Sequence, residues 1–229
     1  MGCLENRAVP RDWARMTSPP VPNGAELLHN VILGYAADPQ FDRKEAVRLL
    51  RLVLSIDDSD ADTLAWAAFI SANIVGDCES SVEMADRAVA LNPNSLQAWG
   101  CRGWVYRVAG LPEEAIRSFE RAIRISPVDQ RLHGPFTGMG FALIEVGRFE
   151  EAIVAGKKAL RQNNSYSPGY RCLAAAFAHL GRDAEAREAA ARMLVVDPAF
   201  TTISAWTARG GSTNAKLLTE GLRKAGLPE

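Results

Sequence analysis

Apolar residues along this chain recur at spacings of three and four, and glycines and prolines interrupt them at regular distances. Between Leu96 and Asp129, Trp99, Gly103 and Tyr106 share one helical face, and Ala115, Phe119, Ala122 and Ile123 share a second. Gly110 stands where the first helix must end, because glycine tolerates the left-handed conformation of a C-cap. Pro112 stands where the next can begin, its missing N–H costing nothing there, and Pro127 stops it. The pattern predicts a helix–turn–helix unit of 34 residues, 96–129.

Units in the same phase occupy 62–95, 133–166 and 167–200, with a less regular copy at 27–60 and a short insertion at Gln130–Leu132. The linking glycines Gly76, Gly110, Gly147 and Gly181 are spaced by 34, 37 and 34 residues. Chance does not set turn formers, small residues and aromatics in one phase four times, so the chain is predicted to be a repeat array. Residues 1–25 carry Pro10, Pro19, Pro20 and Pro22 and are expected to be an irregular lead-in with at most one helical turn at Arg11–Met16. In the first unit a helical pattern from Leu27 to Tyr35 breaks near Asp38–Pro39, and Asp42 with Glu45 has the spacing of a capping box that opens a second helix. After Phe200 the period fades. Gly210–Gly211–Ser212 is expected to be a flexible turn, and Thr213–Ala225, with Leu217, Leu218 and Leu222, a last helix that caps the array. The organisation expected is therefore 1–25 lead-in, 26–200 solenoid, and 201–229 linker with capping helix.

These residues resemble the tetratricopeptide repeat family. Its pattern asks for a bulky residue early in helix A, a small one four later and an aromatic three after that. Along helix B it asks for small, aromatic and small residues, then a closing proline. Unit 96–129 supplies Trp99, Gly103, Tyr106, Ala115, Phe119, Ala122 and Pro127, departing at Arg102, where leucine is usual. Unit 167–200 supplies Tyr170, Leu173, Ala174, Phe177, Ala186 and Pro198, with Met193 in place of alanine. Unit 62–95 departs at Phe69 and Ser81. The resemblance covers about 175 residues. It implies an all-α, right-handed solenoid of about five helix–turn–helix repeats with a C-terminal capping helix. More finely, the run from RAVALNPNS to SPVD and the ending LTEGLRKAGLPE resemble the C-terminal repeat region of bacterial class III adenylate and guanylate cyclases, especially the rhizobial type. Similar repeats follow winged-helix DNA-binding domains in some regulators. No strand-rich segment here is long enough to host a cyclase domain, so its catalytic activity is not expected of this chain.

Composition narrows the function classes. The 26 basic and 27 acidic residues nearly cancel, which gives no global attraction to nucleic acid or an anionic membrane. No window of about eighteen apolar residues exists, so no membrane helix is expected. The charged N-terminus lacks the apolar core of a signal peptide, and Asn6 stands where a myristoylation signal wants Ser or Thr. A cytoplasmic protein is expected. Cys3, Cys78, Cys101 and Cys172 are scattered, with no C-x-x-C pair, and are predicted to be reduced thiols, buried where they lie in helices.

Candidate chemistry is sparse. His29, His133 and His179 stand in separate segments, and no metal, phosphate-loop or nucleophile-elbow motif occurs. Gly138–Met139–Gly140 follows no strand and is not expected to hold a phosphate. Glu113–Glu114 and Glu150–Glu151 open helix B of their units, where acids favour the helix dipole. Arg117, Arg121, Arg124, Lys157, Lys158 and Arg161 are expected to be solvated outer surface. No catalytic residue, cofactor or metal is predicted.

By the family resemblance, helix A residues not used in packing line a concave groove. Here those are Thr63, Trp66, Ile70, Asn73, Gln97, Trp104, Arg107, Thr137, Phe141 and Arg171. Trp66, Trp104 and Phe141 either stand half-exposed, as anchors for a protein or peptide partner, or pack between helices or against the lead-in. The clamp that reads chaperone C-termini needs Lys and Asn along the groove. Trp66, Ile70, Gly100 and Trp104 stand there instead. An apolar segment with one acidic contact is the expected partner of a non-catalytic interaction module, in a signalling or regulatory setting. The two alternatives are a cyclase's C-terminal part without its catalytic domain and the effector half of a winged-helix regulator.

Overall fold

The computed structural model describes residues 39–56, 59–208 and 215–229, and within them every regular element is helical. The helix expected over Leu27–Tyr35, the turn at Arg11–Met16 and the Gly210–Ser212 turn lie outside those residues.

Helix α1 is Pro39–Ile56. It begins three residues ahead of Asp42, which corrects the expected capping box: Asp42 lies inside the helix, and Pro39 takes the first helical position that proline tolerates. Glu45, freed of a capping role, instead accepts from Arg48 Nε at 2.8 Å. Four antiparallel pairs follow. They are α2 (Ala61–Ile70) with α3 (Cys78–Leu91), and α4 (Leu96–Val108) with α5 (Pro112–Ile125). Next come α6 (His133–Glu145) with α7 (Phe149–Gln162), and α8 (Ser167–His179) with α9 (Asp183–Val196). The insertion Gln130–Leu132 is one 3-10 turn. Two short helices end the chain, α10 (Ile203–Ala208), which the sequence period does not announce, and α11 (Lys216–Lys224).

Local chemistry explains the boundaries. Asp60 accepts from the Thr63 amide at 2.7 Å, and Ser95 from the Ala98 amide at 2.9 Å, each satisfying an orphan donor of a first turn. The linking glycines all adopt positive φ, +80° at Gly76, +78° at Gly110, +77° at Gly147 and +70° at Gly181. A side chain at any of them would strain the turn that reverses the chain.

Each first helix packs on its own second helix and on the helix before it, and α2, α4 and α6 also pack on the next first helix. The row α2, α4, α6, α8 is continuous, while successive second helices make no comparable contact. The stack therefore curves with its first helices inside. The small residues permit this closeness. A Cβ built on Gly103 of α4 would lie 2.6 Å from the Phe119 ring of α5, and one on Gly140 of α6 would lie 2.5 Å from Cys172 Sγ of α8. Gly138 also faces the Phe119 ring, so the Gly138–Met139–Gly140 run serves helix packing. Phe69 stands in the phase of Gly103 and Gly140. Directly after it, α2 widens into a π turn over Ser71–Val75. Gly103→Leu is expected to cost on the order of 1–3 kcal/mol through overpacking, read as a lower midpoint in thermal or urea unfolding. An unchanged midpoint would contradict the packing described here.

Val82, Ile116 and Ile153 recur at one place in the second helices, half-buried or buried against the next unit. In α9 the same place holds Arg187, which is exposed, while Leu194 on that helix is 39% exposed. Among the described residues after α9 no further helix pair of this kind occurs. The largest apolar cluster runs from Tyr106 to Leu227 and includes Phe200, Ile203, Trp206, Leu218 and Leu222 of the C-terminal segment.

Candidate binding face

Of the ten residues expected to line a groove, nine lie on the first helices α2, α4, α6 and α8, and Asn73 lies in the π turn that follows α2. Their exposure divides them. Thr63, Trp66, Asn73, Gln97 and Trp104 are half-buried. Ile70, Arg107, Thr137, Phe141 and Arg171 are buried, so Phe141, 4% exposed, does not stand as a half-exposed aromatic.

The aromatic residues form a connected row across neighbouring units. The Trp66 and Phe69 rings meet edge-on at 5.7 Å, Phe69 meets Trp104 at 6.4 Å, and Trp104 meets Phe141 at 6.2 Å. Trp104 also rests edge-on against Phe119 at 5.6 Å. Such contacts align ring edges with ring faces and add about 0.5–1.5 kcal/mol per pair beyond area burial. Trp104 therefore has a packing role as well as an open edge, whereas Trp66 touches the row at its end.

Arg107 closes the row. Its guanidinium lies 5.7 Å from the Trp104 ring and 5.2 Å from the Phe141 ring, and pairs with Glu145 at 2.8 Å. Burial pushes the Glu145 carboxyl above the ordinary carboxylate range, and the Arg107 charge pulls it back. Glu145, on α6, escapes the sequence reading because its partner is a whole unit away.

Asn73, Gln97 and Arg171 have partners within the chain. The Asn73 amide donates to the Phe69 carbonyl at 2.8 Å, and the Gln97 amide lies 3.1 Å from Cys101 Sγ. Arg171 donates to Ser167 Oγ at 2.8 Å and to Asp197 Oδ2 at 3.3 Å, under the Trp206 ring 5.0 Å away. Arg102, the departure from leucine, is not idle. It bonds Asp86 Oδ1 at 2.7 Å, Ser118 Oγ at 2.6 Å and Tyr106 Oη at 3.0 Å, so a polar clamp joins α3, α4 and α5 where the pattern asks for an apolar contact.

Among the described residues no group of three or more His, Cys, Asp or Glu is placed to hold a metal ion, and no helix is long and apolar enough to cross a membrane. Cys101 and Cys172 are buried free thiols, each pushed up to about 12 by burial, while Cys78 is half-buried. Arg117, Arg124, Lys157, Lys158 and Arg161 are exposed, and Arg121 half-buried. Glu114 pairs with Arg117, and Glu151 with Arg148 at 2.7 Å.

Curved stacking of helical hairpins with an inner face of first helices defines an α-solenoid. Residues 75–129 match the tetratricopeptide repeat family. No curated protein sequence matches the chain. Solved structures match along most of its length. PilW, described as a widely conserved type IV pilus biogenesis factor, is 17% identical, with 91% of this chain and 90% of that chain covered at a TM-score of 0.63. Pseudomonas aeruginosa pilF is 18% identical, with 90% and 89% covered at a TM-score of 0.60. YrrB, described as a tetratricopeptide protein with an unusual peptide-binding site, is 23% identical, with 77% and 90% covered at 0.51. At these identities the likeness establishes the fold.

Proposed function

We propose that this chain is a non-catalytic interaction scaffold whose inner face over α2 and α4 takes an extended, apolar protein segment. One observation supports the reading most directly. Trp66 and Trp104 keep part of their rings exposed on the inner face, while Ile70 and Phe141 beside them are buried. Partly exposed tryptophans on a preformed surface are the residues that anchor interfaces. Thr63, Asn73 and Gln97 flank them with hydroxyl and amide groups for a partner's backbone. The peptide-binding site reported for YrrB accords with such a use of the fold.

The finer reading, a regulatory module of a bacterial signalling system, rests on the resemblance to cyclase repeat regions. A purified protein that turned ATP into cyclic AMP would overturn the non-catalytic reading.

Trp66→Ala is the decisive variant, because Trp104 also supports Phe119 and Phe141. Peptides selected from a random library for binding to the full chain are expected to lose at least about tenfold in affinity to Trp66→Ala, the scale of one interface anchor. The thermal midpoint is expected to fall by only a few degrees. Undiminished affinity would move the site away from this face.

A further inference from the structure

The C-terminal helix does not continue the stack. A sixth first helix would run parallel to α8 and dock on α9, the last second helix. Instead α11 packs chiefly on α8 and also on α6, the first helices of the last two units. Its direction opposes that of α8. The His179 ring nitrogen, at the end of α8, lies 2.7 Å from the Leu217 carbonyl at the start of α11, and Gly221 sits against Ala175 further back along α8. Helix α11 therefore lies on the inner face.

The fit is that of a bound helix. Ala215, Leu218, Leu222 and Ala225 are buried in one stripe, while Lys216, Arg223 and Lys224 face out. At the centre of the stripe Gly221 lets the two backbones approach. A Cβ there would lie 2.8 Å from Ala175 Cα, which is backbone that cannot step aside. Past the helix, the Ile203 amide donates to the Pro228 carbonyl at 2.8 Å, and Trp206 covers Arg171. The segment thus covers the inner face from Ala178 to Arg171 while α9, with Arg187 outermost, goes without it.

We propose that the inner face over α6 and α8 is a receptor for a single amphipathic helix, filled in cis by α11. A partner helix with the same Leu-x-x-Gly-Leu stripe engages it only when α11 leaves. This extends the reading of the inner face as a binding surface, at a place separate from Trp66 and Trp104. The apolar segment at α2 and α4 and the helix at α6 and α8 would then be two ends of one interface, the second gated by the chain's own terminus.

The probe is a fluorescent synthetic peptide of residues 215–229, titrated into the full chain and into a Leu218→Asp, Leu222→Asp double variant. Wild type is expected to bind it at least about tenfold more weakly than the double variant. Equal binding, or a variant that does not bind it while its circular dichroism stays native, overturns the proposal. Should the double variant fail to fold, hydrogen exchange of the unmodified chain decides. Amides of 216–224 exchanging at least about tenfold faster than those of α8 support a helix that opens by itself. Exchange of both at one rate makes α11 a permanent part of the core and overturns the gate. Failure here with Trp66→Ala still impairing library peptides would leave the first site standing.

Discussion

Phe119→Ala is expected to lower the unfolding free energy by about 3–5 kcal/mol, the range for deleting a fully buried ring. The ring is 0% exposed and fills the gap between two first helices, touched by Gly103 of α4 and Gly138 of α6 and backed by the Trp104 edge. Removing it leaves a cavity bounded by two glycines, which have no side chains to move in. Trp104 is a neighbouring ring that can shift into the space, so the extent of its movement sets where in the range the loss falls. The same geometry predicts non-additivity. Gly103→Leu overpacks the wild type, but in the Phe119→Ala background its side chain enters the vacated space. The double variant should be more stable than the sum of the two single losses implies, measured by urea unfolding at equilibrium. Strict additivity would mean that Gly103 and Phe119 do not share this space.

Asp197→Ala is expected to cost a comparable amount, about 3–5 kcal/mol, by withdrawing one partner of a buried ion pair. Arg171 and Asp197 have side chains only 2% and 1% exposed. Asp197 ends α9, Arg171 lies in the first turn and a half of α8, and Ser167 Oγ donates to the same carboxylate oxygen at 3.1 Å. The carboxylate therefore ties the two open ends of the last hairpin together. The loss arises mostly from leaving a guanidinium in a dry site without its counter-charge. Glu120→Ala provides the contrast, since its pair with Arg124 spans 3.8 Å between two exposed side chains and should leave the midpoint nearly unchanged. Similar shifts for both variants would show that the Arg171 site is wet.

The parts of the fold that were legible in the sequence are those set by local geometry. Gly110 and Pro112 bound their helices because a left-handed turn and a missing amide are properties of single residues. Gly103 was legible as a packing residue because its phase repeats at Gly140 and Ala174. Thr137, Phe141 and Arg171 were expected on an inner face through the family resemblance alone. Their burial was not legible. Phe141 is covered by Trp104 and Arg107 from the neighbouring unit, and Arg171 by Trp206, which lies beyond the last repeat where the period has faded. Nor could Glu145 be picked out, because nothing local marks it from any helix-end glutamate. Helix α10 is six residues long, too short for a helical period to show.

Arg187 has a consequence beyond its own unit. An array of like units has no intrinsic reason to stop, because each docking step recreates the surface that the next step uses. Had α9 kept the aliphatic residue found at Ile116 and Ile153, every molecule would offer the face that accepts a first helix. Growth from chain to chain would then be limited by concentration alone. A hydrated guanidinium at that place makes each such addition dehydrate a charge, at a penalty of several kcal/mol.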